Sequence, residues 1–419
     1  MVNYFYDCYN ILNKVYSQKA FVKQAINSTF IEEKNRSMII KTVYGVLDND
    51  KELSFYISKL TEKSPKLVIR TILKISMYAV KYLNKQIYAV TKNAVELTKK
   101  LGKTGASGFV NAFLRKFYGA SFEFPNNKIE NLAIRYSYPE FAVKKVIEDY
   151  GEQRANDLLI HRTIKTCISF FIEDGERYLI SKGIKYEKTP YENVFFVENF
   201  SRNEDYDKGI YTFQSIGSVA ICDAVSPCEN ILDCCSAPGG KAVRLSFKCD
   251  RVFATDMHEH RVELIKDYAF RMKRDNIIPL VKDSTVLEKD FIDKFDAVLC
   301  DAPCSSFGVA NDNPDVKLFK EENDVVNLNV QQKEILNNVS KYVKIGGYLY
   351  YSTCSIFKCE NINVVEDFIK NNSNFIIEEL TSKIPCDEIK GTLQFVPDKT
   401  FGLGFYVAKL KRIKWKPIY

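Results

Sequence analysis

Hydrophobic residues in the first 120 positions recur at steps of three and four, which is the spacing of one face of an α-helix. Ser64-Pro65 begins one such helix in the favoured way, because the first helical turn tolerates proline. A further helix near 89–100 precedes a glycine-rich break at 102–108, and another follows at 109–116. The pattern predicts an all-α front part.

Residues 121 to about 205 change character. Two helical stretches lead into short apolar runs that are typical of strands, at 167–172, 184–187 and 194–197, with a short helix near 176–181. We predict a small α+β module, and its periodicity does not indicate a function.

From about residue 208 apolar runs of strand length alternate with helical patterns. We predict strands at 230–234, 251–255, 278–282, 297–300 and 348–352, and two last strands near 375–378 and 404–410. Such alternation predicts right-handed crossovers and a doubly wound, Rossmann-like α/β sheet. The predicted domains are therefore 1–125 (helical), 126–207 (α+β) and 208–419 (α/β).

The amino-acid composition indicates the class of protein. The 419 residues are 46% hydrophobic and 27% charged, which is ordinary for a soluble globular chain. The first residues lack the basic and apolar regions of a signal peptide, and no apolar run approaches the ~18 residues that span a bilayer. We expect a cytoplasmic protein without a membrane partner.

The net charge of +7 is unevenly distributed. Residues 1–130 contain 21 Lys and Arg against 10 Asp and Glu, whereas the remainder is slightly acidic. This asymmetry favours a polyanion as partner of the front part. The alternative is a solvated, lysine-rich surface.

The cysteines and histidines do not predict a metal site. No Cys-x-x-Cys pair occurs among the twelve cysteines, and His258 and His260, two positions apart, are expected on different helix faces. We expect no metal and no disulfide framework. Most of the cysteines are expected to be small buried hydrophobes, and a minority to be reactive.

The first strand of the α/β part runs into a glycine turn, Ile231-Leu-Asp-Cys-Cys-Ser-Ala-Pro-Gly-Gly-Lys241. Gly239 and Gly240 allow a ligand to approach the backbone closely. The turn does not follow Gly-x-Gly-x-x-Gly, so a dinucleotide site loses support. A dehydrogenase would need an acidic residue after the second strand, where Asp256 lies, but methyltransferases of the same topology use that carboxylate for the ribose hydroxyls of S-adenosylmethionine. Asp283 after the third strand could approach the adenine.

Two thiols follow the fourth and fifth strands. The fourth strand ends in Asp301-Ala-Pro-Cys304, and the fifth in Ser352-Thr-Cys354. Carboxyl ends of parallel strands form the ligand crevice of such sheets, so both sulfurs are expected in one pocket.

Two thiols and a carboxylate beside a methyl donor suggest methylation of carbon 5 of a pyrimidine. This reaction needs a thiolate that adds to C6, an acid near N3 and a base that removes the C5 proton. Cys354, Asp301 and Cys304 could fill these parts. The target base would have to be flipped out or already single-stranded.

These motifs resemble the RNA cytosine-C5 methyltransferases, and most of all those of the bacterial RsmB (Sun) type. The likeness includes Ser236-Ala-Pro-Gly-Gly-Lys241, Asp301-Ala-Pro-Cys-Ser305, Pro314-Asp315 and Thr353-Cys-Ser355 followed by Glu360-Asn361. Residues 109–116 are similar to the closing helix of the NusB-like RNA-binding domain of these enzymes, and 132–139 resemble the link that follows.

The resemblance implies roles for individual residues. Cys354 would be the nucleophile, Cys304 would assist product release, and Asp301 would contact N3. S-adenosylmethionine would be bound by Asp256, Asp283, Asp301 and the turn that comprises Cys235, Ser236, Ala237, Pro238, Gly239, Gly240 and Lys241. DNA cytosine methyltransferases use a thiol placed like Cys304 as nucleophile, so the residues alone leave the division between the two thiols open.

The resemblance further implies 16S rRNA as the substrate, either free or in an early 30S intermediate, and we expect a monomer. Alternatives are methylation of another RNA, methylation of an exocyclic amine, and a non-catalytic NusB-like RNA-binding assembly factor. The chain departs from the family pattern at four places: 306–313 lack basic residues, Gln214 precedes Ser215 instead of Asp, Leu403-Gly404 stands in place of Asp-Gly, and the Leu-Arg-Val-Asn segment of the family is replaced around 168–172.

Overall fold

The computed structural model describes residues 2–162, 164–198 and 200–414, and the chain forms two compact units. The first unit comprises the chain up to His161 together with Ala310–Glu321, and the second comprises Arg162–Val309 and the chain from Glu322 onward. The domain boundaries predicted at 125 and 207 stay predictions.

The first unit is helical, as predicted. Its helices are α1 (Val2–Gln18), α2 (Val22–Asn27), α3 (Glu33–Asp48), α4 (Asp50–Leu60), α5 (Leu67–Lys81), α6 (Ile87–Lys100), α7 (Ser107–Gly119), α8 (Lys128–Tyr136), α9 (Glu140–Tyr150), α10 (Glu152–Leu159) and the short α16 (Val316–Phe319). Helix α5 lies at the centre, and its apolar positions Ile72, Ile75 and Ala79 are fully buried because they recur at helical spacing.

The segment Ala310–Glu321 is built into this helical unit. Leu318 and Phe319 pack against its hydrophobic core. The Lys317 ammonium donates to the Asp48 carboxylate at 3.0 Å, and both side chains are almost fully buried. At the surface Lys23 forms an ion pair with Asp312 at 2.7 Å.

The second unit begins with a small antiparallel sheet in the order β2-β3-β1-β4. Its strands and short helices are β1 (Thr166–Phe170), α11 (Gly175–Ser181), β2 (Tyr186–Lys188), β3 (Val194–Val197), α12 (Glu204–Asp207) and β4 (Tyr211–Phe213). Strand β4 was not predicted, because three residues show no measurable alternation.

The larger sheet of the second unit has the order β11-β12-β13-β9-β8-β5-β6-β7, and β10 pairs with β13. Its elements are α13 (Ile216–Ala224), β5 (Cys228–Cys234), α14 (Gly240–Leu245), β6 (Cys249–Asp256), α15 (Glu259–Arg271), β7 (Ile277–Val281), β8 (Phe295–Asp301), α17 (Glu322–Val339), β9 (Val343–Thr353), α18 (Ile362–Asn371), β10 (Phe375–Glu378), β11 (Asp387–Ile389), β12 (Thr392–Phe395) and β13 (Phe405–Arg412). The five predicted parallel strands and both closing strands are present.

The centre of this sheet is parallel and doubly wound, which confirms the predicted fold class. Strand β5 pairs with β6 on one side and with β8 on the other, and β8 pairs with β9. The chain therefore changes direction of winding between β5 and β8, and such a switch point opens a ligand crevice at the carboxyl ends. Antiparallel β13 closes the sheet against β9, and β11 and β12 extend it.

Apolar side chains cover both faces of the large sheet. One layer includes Ile231, Val252 and Leu299, and the other includes Leu232, Val298 and Leu349. Each strand alternates its side chains between these two layers, so the strands read as continuous apolar runs. Among the described helices, none is both long and apolar enough to cross a membrane.

Candidate active site

A cavity of about 290 Å³ lies at the carboxyl ends of β5, β6, β7, β8 and β9. Seven residues predicted to act in the site line it together: Cys235, Ala237, Asp256, Asp283, Asp301, Cys304 and Cys354. The register explains the convergence, since Cys234 pairs with Cys300 and Asp301 pairs with Ser352. The residues that follow each strand therefore begin at the same edge.

The remaining residues of the predicted turn shape this cavity without lining it. Gly239 adopts φ +103°, a conformation that a side chain rarely takes, and a Cβ there would lie 3.3 Å from the backbone of Ile265. Gly240 begins α14, and its carbonyl accepts a hydrogen bond from Gln214 Nε2 at 3.1 Å. Pro238 follows a cis peptide bond.

Beneath the turn, Asp233 is completely buried. Ser236 Oγ donates to its Oδ2 at 2.7 Å, and Oδ1 has no hydrogen-bond partner. Burial raises the pKa of Asp233 to about 7, with Asp301 adding to the rise and the Ser236 hydrogen bond and Lys241 opposing it. Asp233 lies in the strand predicted at 230–234, but the sequence indicated no role for it.

Asp256 and Asp283 both line the cavity, but their carboxylate oxygens have different hydrogen-bond partners. Asp256 is buried, and its Oδ1 accepts from the backbone N–H of His258 at 3.3 Å. Its Oδ2 lies 3.3 Å from the Arg261 guanidinium without a hydrogen bond, so this oxygen has an unused acceptor position. Asp283 Oδ1 instead accepts from the backbone and hydroxyl of Thr285.

The carboxylate of Asp301 is held from two sides. Lys241 Nζ donates to Oδ2 at 2.6 Å, and Ser352 Oγ donates to Oδ1 at 2.7 Å. Burial would lower the pKa of Lys241, but Asp301 raises it above its ordinary value, so the ammonium stays charged. Lys241 thus fixes the carboxylate and brings a positive charge to the thiols.

The sulfurs of Cys304 and Cys354 lie 3.2 Å apart. Cys354 Sγ also contacts Ser306 Oγ at 3.4 Å, and the backbone N–H of Cys354 points to Cys304 Sγ at 3.3 Å. The prediction that two thiols fifty residues apart face one pocket is confirmed by this geometry.

The two thiols have opposite acidities. The pKa of Cys354 is lowered by the hydrogen bond from Cys304, with Ser306 and Lys241 acting in the same direction against burial and Asp301. The pKa of Cys304 is raised by that same hydrogen bond to Cys354, by burial and by the charge of Glu360. The shared hydrogen bond therefore makes Cys354 the more acidic thiol of the pair.

Glu360 clamps the loops that carry the thiols, a role that was not predicted. Its buried carboxylate accepts from Ser305 N at 2.8 Å, from Ser305 Oγ at 2.5 Å and from Ser355 Oγ at 2.5 Å. Gln332 Nε2 donates to it at 3.1 Å. Since Ser305 follows Cys304 and Ser355 follows Cys354, one side chain fixes the distance between both loops.

Asn361 adds a second connection. It accepts from Thr353 Oγ1 at 2.5 Å and donates to Ser355 O at 2.9 Å and to Gln394 Oε1 at 2.7 Å. The sequence signal for both residues was their adjacency in Glu360-Asn361, which indicated a motif but not its partners.

At one departure from the family pattern, Leu403-Gly404, the backbone packs closely against the loops that carry the thiols. A Cβ on Gly308 would lie 2.3 Å from Gly404 O and 2.7 Å from Cys354 O, so three backbone segments meet there and only glycine fits. Gly308 N donates to Cys354 O at 3.0 Å, and Gly404 N donates to Gly308 O at 2.6 Å. Leu403 therefore precedes a glycine that the packing requires.

The histidines differ from expectation in one respect. His258 is the N-cap of α15 and His260 lies in its first turn, so their rings stack with centroids 5.5 Å apart instead of pointing to different faces. Within residues 2–162, 164–198 and 200–414, no cluster of three or more His, Cys, Asp or Glu side chains could hold a metal ion.

Comparison with known proteins gives two family matches. Residues 221–411 match the family described as 16S rRNA methyltransferase RsmB/F, and residues 6–119 match the NusB family. The first match contains the whole cavity, and the second contains most of the helical unit.

Individual relatives match over nearly the full length. The probable ribosomal RNA small subunit methyltransferase B of Bacillus subtilis (strain 168) is 29% identical, with 96% of this chain and 95% of the relative covered. Ribosomal RNA small subunit methyltransferase B of Photorhabdus laumondii is 26% identical over 91% of this chain and 92% of its own. The crystal structure of PH0851 shares the fold, with a TM-score of 0.83, 21% identity and coverage of 98% and 99%.

Proposed function

We propose that this chain, whose residues 221–411 match the family described as 16S rRNA methyltransferase RsmB/F and whose residues 6–119 match the NusB family, methylates carbon 5 of one cytosine in 16S rRNA, with S-adenosylmethionine as the donor. The observation that carries the proposal is the Sγ–Sγ distance of 3.2 Å between Cys304 and Cys354 in a cavity that also contains Asp301. An enzyme that methylates exocyclic amines has no use for such a pair.

The cavity fits the donor on one observation in particular. Asp256 Oδ2 is buried in the cavity wall, and although the Arg261 guanidinium lies 3.3 Å away, no hydrogen bond reaches the oxygen within the described part of the chain, which leaves an acceptor position for a ligand. A ribose hydroxyl of the donor would satisfy it. The glycine turn from Cys235 to Lys241 and Asp283 would hold the rest of the molecule, as expected from the sequence.

When bound, S-adenosylmethionine supplies an electrophilic methyl group. The chain has to make carbon 5 of the cytosine nucleophilic, and Cys354 does so by forming a bond from its thiolate to C6. The π electrons of the C5–C6 bond then move toward C5, and part of the negative charge that develops is shared through the ring with N3. Asp301 is the group expected beside N3, and because a carboxylate alone cannot stabilise negative charge, the Lys241 ammonium 2.6 Å from Asp301 is the cation that offsets it.

Cys304 completes the reaction. While Cys354 is a thiolate, it holds the proton of Cys304 in place. Once the Cys354 sulfur is bonded to C6, its negative charge is gone, and the main cause of the raised pKa of Cys304 disappears. Cys304 can then release its proton to solvent, which is the one proton that the overall reaction sets free, and the resulting thiolate accepts the C5 proton. The electrons of the C5–H bond restore the double bond, and the C6–S bond breaks to return the Cys354 thiolate.

The variants Cys304→Ala and Cys354→Ala test these roles. With 16S rRNA and S-adenosylmethionine, Cys304→Ala should accumulate a covalent protein–RNA adduct that survives a denaturing gel, because the C5 proton is not removed. Cys354→Ala should give neither adduct nor methyl transfer. An adduct that persists in Cys354→Ala would overturn the assignment, and a chain that only binds RNA would form no adduct in any variant.

The position of the modified base is found by bisulfite sequencing of ribosomal RNA from cells with and without the protein. Loss of a single methylcytosine would identify the target. An unchanged profile would contradict 16S rRNA as the substrate.

A further inference from the structure

A groove runs between α6 and α7 on the helical unit, far in sequence from Cys304 and Cys354. The two helices pack side by side through a short connection and leave a groove of about 610 Å³. Residues 88, 92, 95 and 99 line one wall because they repeat at helical spacing, and residues 107, 108, 111 and 115 line the other.

The groove carries an excess of positive charge. Lys92, Lys99 and Arg115 are exposed at its edges, and no carboxylate in the described part of the chain lies within 4 Å of their charged nitrogens. Glu96 is the acidic residue that lines the groove. Lys92 and Lys99 are seven residues apart, about 10 Å along the helix axis, so they can reach different charges on an extended ligand.

Two hydroxyl groups in the groove walls make no hydrogen bond within the described part of the chain. Thr91 is only 9% exposed, and its Oγ1 makes no hydrogen bond within the described chain. Ser107 Oγ, on the facing wall, is also buried without a partner. Threonine in a helix commonly donates to the carbonyl four residues earlier, as Thr71 and Thr98 do here. The unused donors therefore point to a ligand that supplies acceptors.

Tyr88 adds an aromatic surface at one end of the groove. Its side chain is 81% exposed, which is unusual for so large a ring. Exposed aromatic rings next to a track of cations are the combination that binds single-stranded nucleic acid, because a base stacks on the ring while phosphates meet the cations.

We infer that the α6–α7 groove binds an unpaired stretch of the substrate RNA, with phosphates at Lys92, Lys99 and Arg115, hydrogen bonds from Thr91 and Ser107, and a base on Tyr88. The inference rests on the proposed function for the identity of the RNA. An acidic protein segment could use the cations, but it would leave the exposed ring without a stacking partner.

Binding of a fluorescent single-stranded RNA of about 12 nucleotides to the full chain tests the groove. Lys92→Gln/Lys99→Gln should weaken binding and reduce the slope of log K against log salt by about 1.4, since each phosphate contact contributes roughly 0.7. Lys41→Gln/Lys63→Gln removes the same charge from exposed positions outside the groove and should keep the slope. Equal effects of both pairs would overturn the inference.

The ring and the hydroxyls have their own matched variants. Tyr88→Ala should weaken binding roughly tenfold, as expected for loss of one stacked base, whereas Tyr118→Ala, also exposed but outside the groove, should not. Thr91→Val/Ser107→Ala should weaken binding without lowering the unfolding midpoint, because the hydroxyls stabilise nothing in the free protein. Unchanged affinity in these variants contradicts RNA in the groove.

Two further outcomes separate the possibilities. If a glutamate oligomer of similar length displaces the RNA at equal concentration, charge alone governs the groove, and the RNA assignment fails. Oligonucleotide binding does not require methyl transfer. A chain that binds RNA through the groove but forms no Cys354 adduct would contradict the proposed function and not the RNA site in the groove. A chain that forms the adduct but does not bind RNA in the groove would contradict the groove site alone.

Discussion

Lys241 affects several charged groups of the site at once. Its ammonium donates to Asp301, lowers the pKa of Cys354, and opposes the rise in the pKa of Asp233. Asp233 differs from the other carboxylates of the site, because it is fully buried and, among the described residues, a hydrogen bond reaches only one of its oxygens. In the folded protein it therefore binds a proton far more tightly than an exposed carboxyl group does.

This proton gives a prediction about pH. The folded pKa of Asp233, about 7, is raised above the unfolded value near 4. The stability that Asp233 contributes is therefore fully present below pH 4 and is lost as pH rises through 7. Asp233→Asn removes this dependence. The unfolding free energy of the native chain minus that of the variant should fall by about 3 kcal/mol between pH 5 and pH 8.

Urea unfolding of both proteins at the two pH values gives this difference directly. Groups that do not interact with Asp233 titrate equally in the two chains and cancel, and Lys241, whose pKa is raised mainly by Asp301, stays charged at both pH values. A difference that does not change with pH would show that the buried carboxyl group keeps an ordinary pKa.

At the scale of elements, the proposed chemistry depends on two loops that follow neighbouring strands. Strands β8 and β9 bring the loops side by side, but strand pairing ends at Asp301 and Thr353, before either cysteine. The spacing of the sulfurs is then fixed by Glu360, whose carboxylate bonds to the serine after each cysteine.

Replacing this carboxylate should separate binding from chemistry. Glu360→Gln places an amide group among hydroxyl donors, so we expect the loops to shift and methyl transfer at saturating RNA to fall on the order of 100-fold. RNA affinity should be unchanged, because Glu360 is completely buried. Glu366→Gln, the same change at a partly exposed position of α18, should have little effect on single-turnover methylation. A parallel loss in both variants would contradict the clamp.

The elements also show which features of the structure could be predicted from the sequence. The parallel strands and their acidic and thiol ends were predictable, because short apolar runs locate strands and parallel strands end at one edge. The contacts of Glu360 and the Lys241–Asp301 pair were not, since each joins residues far apart in the chain and depends on side-chain directions. Strands β11 and β12 were missed because three or four residues, partly polar, show no alternation that separates them from loop.

At the scale of the whole molecule, the helical unit is not a continuous piece of chain. It needs Ala310–Glu321, which inserts Leu318 and Phe319 into its core and brings Lys317 to Asp48. No local pattern in the sequence signals this, because the segment reads as a loop with one short helical turn.

The buried pair predicts an unequal cost for two similar changes. Lys317→Met removes the ammonium partner of the buried Asp48 carboxylate and leaves it, among the described residues, with His161 at 3.5 Å, so we expect the helical unit to lose roughly 3 to 5 kcal/mol of stability. Lys23→Met breaks the exposed pair with Asp312 in the same unit and should cost less than about 1 kcal/mol. Denaturant unfolding followed by helical circular dichroism measures both. Equal losses would mean that the buried pair contributes no more than the surface one.

The discontinuity of the helical unit also has a consequence during translation. Chains emerge amino end first, at about 5 to 20 residues per second, so Lys317 leaves the ribosome on the order of 10 to 30 seconds after His161. For that interval the nascent front half holds Asp48 without its cation and an open place where Leu318 and Phe319 belong. The unit that is synthesised first is therefore completed late, and a ribosome arrested before residue 310 would display it unfinished.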